Sequence, residues 1–420
     1  MAGTEQKLSI YNYHVASFDI IIPGQDTVSL DQGMVVSFNK VDDFDNNVFP
    51  LFSVKLLLRK KDYYNIIKYN STVKFRIRLQ KSKMDNTEVD SKKAMKEDVF
   101  NDIFCCYLSD STPQYDEKLQ QKANEVVGAS NNKTPEDLSN YLELYLFKEQ
   151  DITGTKNVIN VCLGSLDLTD MIFLLYSKAG LSSNFLMEIL DNKQSFSEII
   201  MPPIPFLGAM KYLETYYGGF YKVPTLMYFD FNTRYLIKRA VACGAWKSGE
   251  FKQTVLLVRA ANDPQKNQVS CERRADEKKY YISINPELVT INKESIYDDA
   301  IDGTNLVVVG SKSGSVSNLT TNVTKRGSGA QKVLYNDLEN TRLSSVAKSE
   351  IESNGASIMI TVTNVDIAAF TPNKEFIIKF LDTTAGQGLS GSYRLSKASY
   401  EFNHNGEQGF NISATLTFKK

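Results

Sequence analysis

Through the last stretch of the chain, "GFNISATLTFKK", the apolar residues Phe410, Ile412, Ala414, Leu416 and Phe418 alternate with Asn411, Ser413, Thr415, Thr417 and Lys419. A period of two predicts a strand with one buried and one wet face. An uncovered edge on such a strand invites pairing with another chain, so it is expected to be blunted or hidden. The first eighty residues also read as β, in "YHVASFDIII", "TVSL", "MVVSFNKV", "LFSVKLLL" and "TVKFRIRLQ", with turns expected at Pro23-Gly24 and Asp31-Gln32-Gly33. In the last of these runs Phe75, Ile77 and Leu79 share one face, and Lys74, Arg76, Arg78 and Gln80 share the other. "KDYYNIIK" reads as a short helix or irregular piece. Several short strands with regular turn signals predict a barrel or sandwich.

Residues 82–139 are polar, charged and poor in core residues, which predicts a surface insertion, partly helical. Alternation returns in "YLELYLF", where Leu142, Leu144 and Leu146 face one way. The first β-module is therefore expected over residues 1–165, split by that insertion. Residues 166–225 read as a helical connector. "SLDLTDMIFLLYSKAG" has a polar start, a dense apolar run and Gly180 as a helix stop. "NFLMEIL" and "SFSEII" read as further helical pieces, and Pro202, Pro203 and Pro205 forbid a continuous helix after them. Ala209, Leu213, Tyr216 and Tyr217 then share one helical face, ended by Gly218-Gly219.

Strands resume over 226–420 in "TLMYFDFNTRYLIK", "QTVLLVRA", "KKYYISINPELVTI", "NLVVVG" and "ASIMITVTNVDIAAFTPNKEFIIKFLD". A Gly/Ser/Thr/Asn-rich loop is expected at 311–355 and a hairpin turn at Asn405-Gly406. The fold class predicted is mainly β with a helical connector (α+β), two β-modules in one chain.

At 420 residues the chain exceeds one ordinary core. Its 48 basic and 49 acidic residues leave a net charge of −1, so no global field draws it to nucleic acid or anionic membrane. The cysteines Cys105, Cys106, Cys162, Cys243 and Cys271 are odd in number and lack zinc spacing; reduced thiols are expected. The opening apolar run is short and carries Asp19, so it does not read as an export signal. No stretch reaches the roughly eighteen apolar residues of a membrane helix. The sequons at Asn70, Asn132, Asn318, Asn322 and Asn411 then read as accidents of an Asn-rich composition.

Candidate chemistry is sparse. "VDDFDNN" places Asp43, Asp45 and Asn47 like the start of a calcium loop, but Val48 and Val54 stand where Gly and Glu are needed, so a capped turn is expected. "GLSGSYR" has Ser392 where a nucleophile elbow around Ser390 needs Gly, and "GSKSGS" from Gly310 lacks the ending of a phosphate loop. His14 and His404 are the only histidines, and no histidine lies near Cys105-Cys106 in the sequence. The stripe Lys74, Arg76, Arg78 is a candidate phosphate contact or a solvated strand face. Tyr63-Tyr64, Tyr216-Tyr217 and Tyr280-Tyr281 are candidate interface aromatics or core residues. No catalytic, cofactor or metal residue is assigned, and the chain is not expected to be an enzyme.

Three stretches together carry a family resemblance: "YNYHVASFDIIIPGQDTVSL" with "VVSFNKVDDFDNNVFPLFSVKLLL"; "SEIIMPPIPFLGAMKYLETYYGGFYKVPTLMYFDF"; and "DIAAFTPNKEFIIKF" with "GSYRLSKASYEFNHNGEQGFNISATLTFKK". In order and character they resemble the central baseplate hub protein of contractile phage tails. The resemblance implies two tail-tube-like β-barrel modules, with three chains forming a pseudo-sixfold ring in which an open strand edge is satisfied by another subunit. It further implies partners in the tail tube protein, the central spike protein and the tape-measure protein, with phage DNA only in transit. It places the protein in the virion, assembled in the host cytoplasm. Other readings remain: a tube adaptor, a receptor- or carbohydrate-binding tail module, or a cell-wall hydrolase.

Overall fold

A computed structural model describes residues 9–69, 72–85, 96–108, 138–242, 244–247, 250–264, 270–274, 278–292, 305–309, 316–318, 331–335, 357–382, 388–404 and 409–419. The N-terminal elements are β1 (Ser9–Ile21), β2 (Val28–Ser29), β3 (Val35–Asp43), β4 (Leu51–Arg59), α1 (Lys60–Lys68), β5 (Lys74–Asp85), β6 (Lys96–Leu108) and β7 (Leu138–Lys148). The connector holds α2 (Glu149–Lys156), β8 (Val158–Asp167), α3 (Leu168–Lys178), β9 (Phe185–Met187), β10 (Ser195–Pro205), α4 (Phe206–Tyr216), β11 (Thr225–Phe229) and β12 (Arg234–Lys238). After it come β13 (Gln253–Val258), β14 (Ser270–Arg274), β15 (Lys279–Ile284), β16 (Val289–Asn292), β17 (Asn305–Val309), β18 (Val316–Asn318), β19 (Gln331–Tyr335), β20 (Ser357–Thr363), β21 (Glu375–Phe380), β22 (Gly391–His404) and β23 (Phe410–Lys419).

The alternating strands close into an eight-stranded antiparallel barrel. Pairing runs β1-β5-β6-β7-β4-β3-β22-β23 and returns to β1, where Tyr13 lies opposite Phe410. Residues opposite one another point to the same face, so Phe38, Phe402, Val54 and Leu144 all turn inward. Phe38 stacks on Phe402 at 4.1 Å and meets Phe410 edge-on at 4.9 Å. The barrel interior is a packed aromatic core, as small barrels require, and not a pore.

This closure overturns the expectation for the C-terminal strand. β23 is paired along one side with β22 and along the other with β1 and β20. No copy is needed to satisfy its backbone. It also redraws the module boundaries: β22 and β23, from the expected 226–420 module, supply two staves of the N-terminal barrel. The turn at Asn405-Gly406 lies outside the described residues, but the strands flanking it pair from Arg394↔Lys419 to His404↔Phe410. A further stave, β6, comes from within the expected surface insertion at 82–139; its inward residues are Phe100, Asp102, Phe104 and Cys106. Residues 86–95 and 109–137 of that segment lie outside the described residues.

The second β-module grows from the same two long strands. β21 joins the start of β22 at Phe376↔Tyr393, and β13 lies parallel to both β21 and β15, with β14 beyond. Its near-continuous "TVLLV" suits a parallel strand buried on both faces. On the other flank β20 pairs with β23, and β16 with β20. Among the described residues this array ends in β14 and β16 and does not close. The expected loop at 311–355 contributes β18 and β19, which flank β17 in a separate sheet.

The connector has its own core around Met171, Leu175, Tyr176, Ile199, Phe206 and Leu213. Helix α3 follows its expected rules. The Asp167 carboxylate accepts the Asp170 N–H at 2.8 Å, and Gly180 ends the helix at φ 73° while the Leu181 N–H returns to the Tyr176 carbonyl. α4 buries Ala209 and Leu213 but exposes Tyr216, so the expected face is only partly inward. "SFSEII" and "NFLMEIL" are corrected: β10 pairs with β8, and β9 runs parallel to β12. Short apolar runs fit strand and helix alike, and pairing partners decided between them. The connector's pairings therefore span residues 158–238, wider than the expected 166–225.

Candidate functional site at the barrel mouth

The connector enters the barrel at one end. The β11–β12 turn, Asp230 to Thr233, is held by Asp230 N–H donating to the Thr233 carbonyl at 2.9 Å. It carries Phe231 into a cage of Phe52, Phe100 and Phe104, with ring centroids 5.3, 4.7 and 5.4 Å away. Those three rings come from β4 and β6, whose alternation turns them inward. The polar groups of the turn meet polar groups of the barrel. Lys40 lies 3.1 Å from Asp230, Lys148 donates to the Phe231 carbonyl at 2.6 Å, and Asn232 donates to the Val99 carbonyl at 2.5 Å. The turn is a plug.

Beneath it is a buried ionic cluster. Lys40 donates to both oxygens of Asp42 at 2.7 Å, and the Tyr228 hydroxyl donates a short hydrogen bond to the same carboxylate. The Lys40 ammonium sits over the rings of Phe231 and Tyr400. Burial pushes the Asp42 carboxyl up, against the pull of Lys40, and Asp230 adds to the rise. Burial opposes the charge on Lys40, but Asp230 and Asp42 hold its pKa above the ordinary value. A buried lone charge would be costly, and here each charge has a partner. Lys40, Asp42 and Asp102 stand at inward positions of alternating strands. That break in alternation is the trace the plug leaves in the sequence.

A second ionic node ties the modules together. Asp45 accepts from Arg394 at 2.5 Å, Ser396 at 2.6 Å and Lys419 at 2.9 Å, so the loop after β3 is fastened to β22 and β23. Asp43 instead accepts from the N–H groups of Asp45 and Asn46 and caps the turn. The two carboxylates serve different partners, which is the capped turn expected of "VDDFDNN". Burial pushes the Asp45 carboxyl up, but Arg394, Ser396 and Lys419 outweigh it and hold it from 3.8 down to about 2. A depressed carboxyl stabilises the fold above its unfolded pKa, and that stability is lost as pH falls through the folded value. Wild-type protein should lose on the order of 2 kcal/mol through this group between roughly pH 4 and 2. Asp45→Asn should lack that acid-dependent loss while being weaker at pH 7. Urea unfolding of both proteins at pH 7, 4 and 2.5 checks this, and parallel curves would refute it.

The other candidates disperse. In the basic stripe, Lys74 pairs with Glu149 at 2.5 Å and Arg78 with Asp98 at 2.9 Å. Arg76 lines an open groove of about 640 Å³ with Asn101, Asp102, Lys148, Gln150 and Asn157. His14 bonds Gln80 at 2.9 Å, and burial lowers the pKa of both His14 and His404. Cys105 lies 3.4 Å from the Phe147 carbonyl, and burial pushes the Cys106 thiol up to about 11, far from a reactive thiolate. Ser390 accepts the Phe380 N–H and Ser392 bonds Glu375, so "GLSGSYR" is a strand entry. The Gly310 motif and the side chains of Cys243 and Cys271 lie outside the described residues. Each tyrosine pair divides: Tyr64 and Tyr216 are exposed, while Tyr280 is buried. Among the described residues no three His, Cys, Asp or Glu side chains gather as a metal site, and no helix is long and apolar enough to cross a membrane.

The chain's filled barrel, its connector and its second β-array together have counterparts among solved tail proteins. The structure is similar to a tail protein from Neisseria meningitidis MC58, at 11% identity and a TM-score of 0.51 over 97% of this chain and 96% of that one. It is also similar to the 43 kDa tail protein of prophage MuSo2 from Shewanella oneidensis, at 10% identity and a TM-score of 0.50 over 96% of this chain and 98% of that one. The family model described as Bacteriophage PBS1 gene 109 protein matches residues 8–420, and the chain belongs to that family. No curated protein sequence matches it. By family it is a phage protein, and its fold is that of the two solved tail proteins.

Proposed function

We propose that the protein is a non-enzymatic structural part of the phage tail, and within it the baseplate hub that links tail tube to central spike. The observation that carries this reading is the plugged barrel continued into a second β-array through two shared strands, in a chain whose fold is similar to that of solved tail proteins. The barrel's interior is filled, so DNA in transit passes between copies and not through one chain. Copies arranged as a trimer would present six β-modules around that passage, joining a sixfold tube to a threefold spike. With the first barrel closed on itself, lateral contact is made by the second array's edges and by side-chain surfaces. The tail tube, spike and tape-measure proteins are the partners, and assembly takes place in the host cytoplasm.

Mass photometry and negative-stain microscopy of the purified full chain, alone and with its spike and tube proteins, test this. Trimers or rings are expected. A monomer under every condition, partners present, would remove the hub assignment.

A further inference from the structure

The buried cluster beneath the plug holds more than an ion pair requires. An amine, two carboxylates and a backbone donor meet there against aromatic walls. Lys40 Nζ lies 2.7 Å from both oxygens of Asp42 and 3.1 Å from Oδ1 of Asp230. The Phe231 N–H donates to that same Asp230 oxygen at 2.8 Å. The Tyr228 hydroxyl donates to Asp42 and holds it in place. The rings of Phe231 and Tyr400 stand 5.4 and 5.5 Å from Nζ. The Lys40 and Asp42 side chains are 8% and 2% exposed, and that of Asp230 is 21%.

Asp42 already meets the ammonium with both oxygens, so Asp230 is a second carboxylate on one cation. Each group fits a part in joining an amine to a carboxyl. Lys40 Nζ is the nucleophile, one bond away from a carbon whose oxygen it already touches. Asp42 is the hydrogen-bonded base. The Phe231 N–H is a preset donor for the oxygen on which negative charge gathers. Groups held face to face in this way react at effective molarities of roughly 10⁵–10⁸ M.

We propose that Lys40 and Asp230 condense to an amide that bonds the plug to the barrel wall. The ammonium and the carboxylate become one amide and one water, with no other reactant. Lys40 first passes a proton to Asp42, whose carboxyl burial pushes up. The freed amine pair attacks Asp230 Cγ. Oδ1 stays as the amide oxygen under the Phe231 N–H, and the C–Oδ2 bond breaks. Oδ2 leaves as water, carrying the proton relayed by Asp42 and a second one shed by the nitrogen. The partial exposure of Asp230 gives that water an exit. Asp42, left without its cation, takes a proton from solvent, since a lone buried charge is costly. The reaction runs once per molecule, so a slow step suffices. It ties β3 to the β11–β12 turn, and it stands independently of the hub reading.

The test is the mass of the full chain, measured under denaturing conditions after the folded protein has been incubated. The wild type should weigh one water less than its sequence, and trypsin should release a branched peptide joining Lys40 to Asp230. Lys40→Arg keeps the charge, cannot form the bond and should keep the full mass. Asp42→Asn lacks the proton carrier and should cross-link at least about a hundredfold more slowly. Circular dichroism establishes which variants fold; where one does not, the wild-type mass and digest still decide. A folded wild type at full mass after prolonged incubation overturns the proposal. So does a missing water that maps elsewhere in the chain, or one that persists in Lys40→Arg. Folded Asp42→Asn that cross-links at the wild-type rate overturns the proton route assigned to Asp42.

Discussion

Leu416→Asp is expected to unfold the protein or leave it too unstable to purify as a native species. Leu416 is fully buried on β23, opposite Ala398 of β22 and Ile360 of β20, at the seam where the barrel passes into the second array. The change removes a core side chain, which alone costs about 2–5 kcal/mol as Leu→Ala. It then puts a carboxyl where no donor is waiting, which adds roughly 1–3 kcal/mol even when the group takes up a proton. The sum, about 5 kcal/mol or more, is comparable to the whole stability of many domains. Leu416→Met keeps the volume and should cost less than about 1.5 kcal/mol. Denaturant unfolding followed by circular dichroism compares the three proteins. A Leu416→Asp protein with a wild-type midpoint would mean that β23 is not in this core.

Phe231→Ala is expected to cost about 3–5 kcal/mol, the range for deleting a buried ring. Phe231 is 5% exposed and touches three other rings, each such pair adding about 0.5–1.5 kcal/mol beyond area alone. The bond from Lys148 to the Phe231 carbonyl and the Lys40–Asp230 pair do not involve the ring, so the turn should stay docked around an empty apolar space. Such cavities bind small apolar guests. Benzene should therefore raise the melting temperature of Phe231→Ala and not that of wild type. A loss below about 1 kcal/mol, or no benzene effect, would mean that the ring does not fill the barrel mouth.

Alternation made half of the barrel legible. β1, β5, β7 and β23 show period two, because a strand with one wet face must sort its side chains. β6 escaped notice because "KEDVFNDIFCCYL" mixes polar residues into its inward row: Asp102 faces in to meet Lys148 at 3.0 Å. The plug was equally hidden. Phe231 lies in "DFNT", which reads as part of a strand until a hairpin forms there. In the connector, Pro202, Pro203 and Pro205 correctly excluded a helix, but nothing local distinguished β10 from the helical pieces expected beside it.

From the chain alone came the element types wherever one face is wet, the capped turn at Asp43, the stops at Gly180 and Gly218-Gly219, and a mainly β molecule with helices in its middle. Those follow from chemistry within a few residues of each position. Tertiary structure alone decided which strands are neighbours. The backbone edge of β23 is complementary to any strand, and the choice of β1, some 400 residues away, and of β20 and β22 is made by the rings at Tyr13, Phe38, Phe402 and Phe410 packing in a single interior. A periodic pattern says that an edge exists; only the packed core says whose edge it meets.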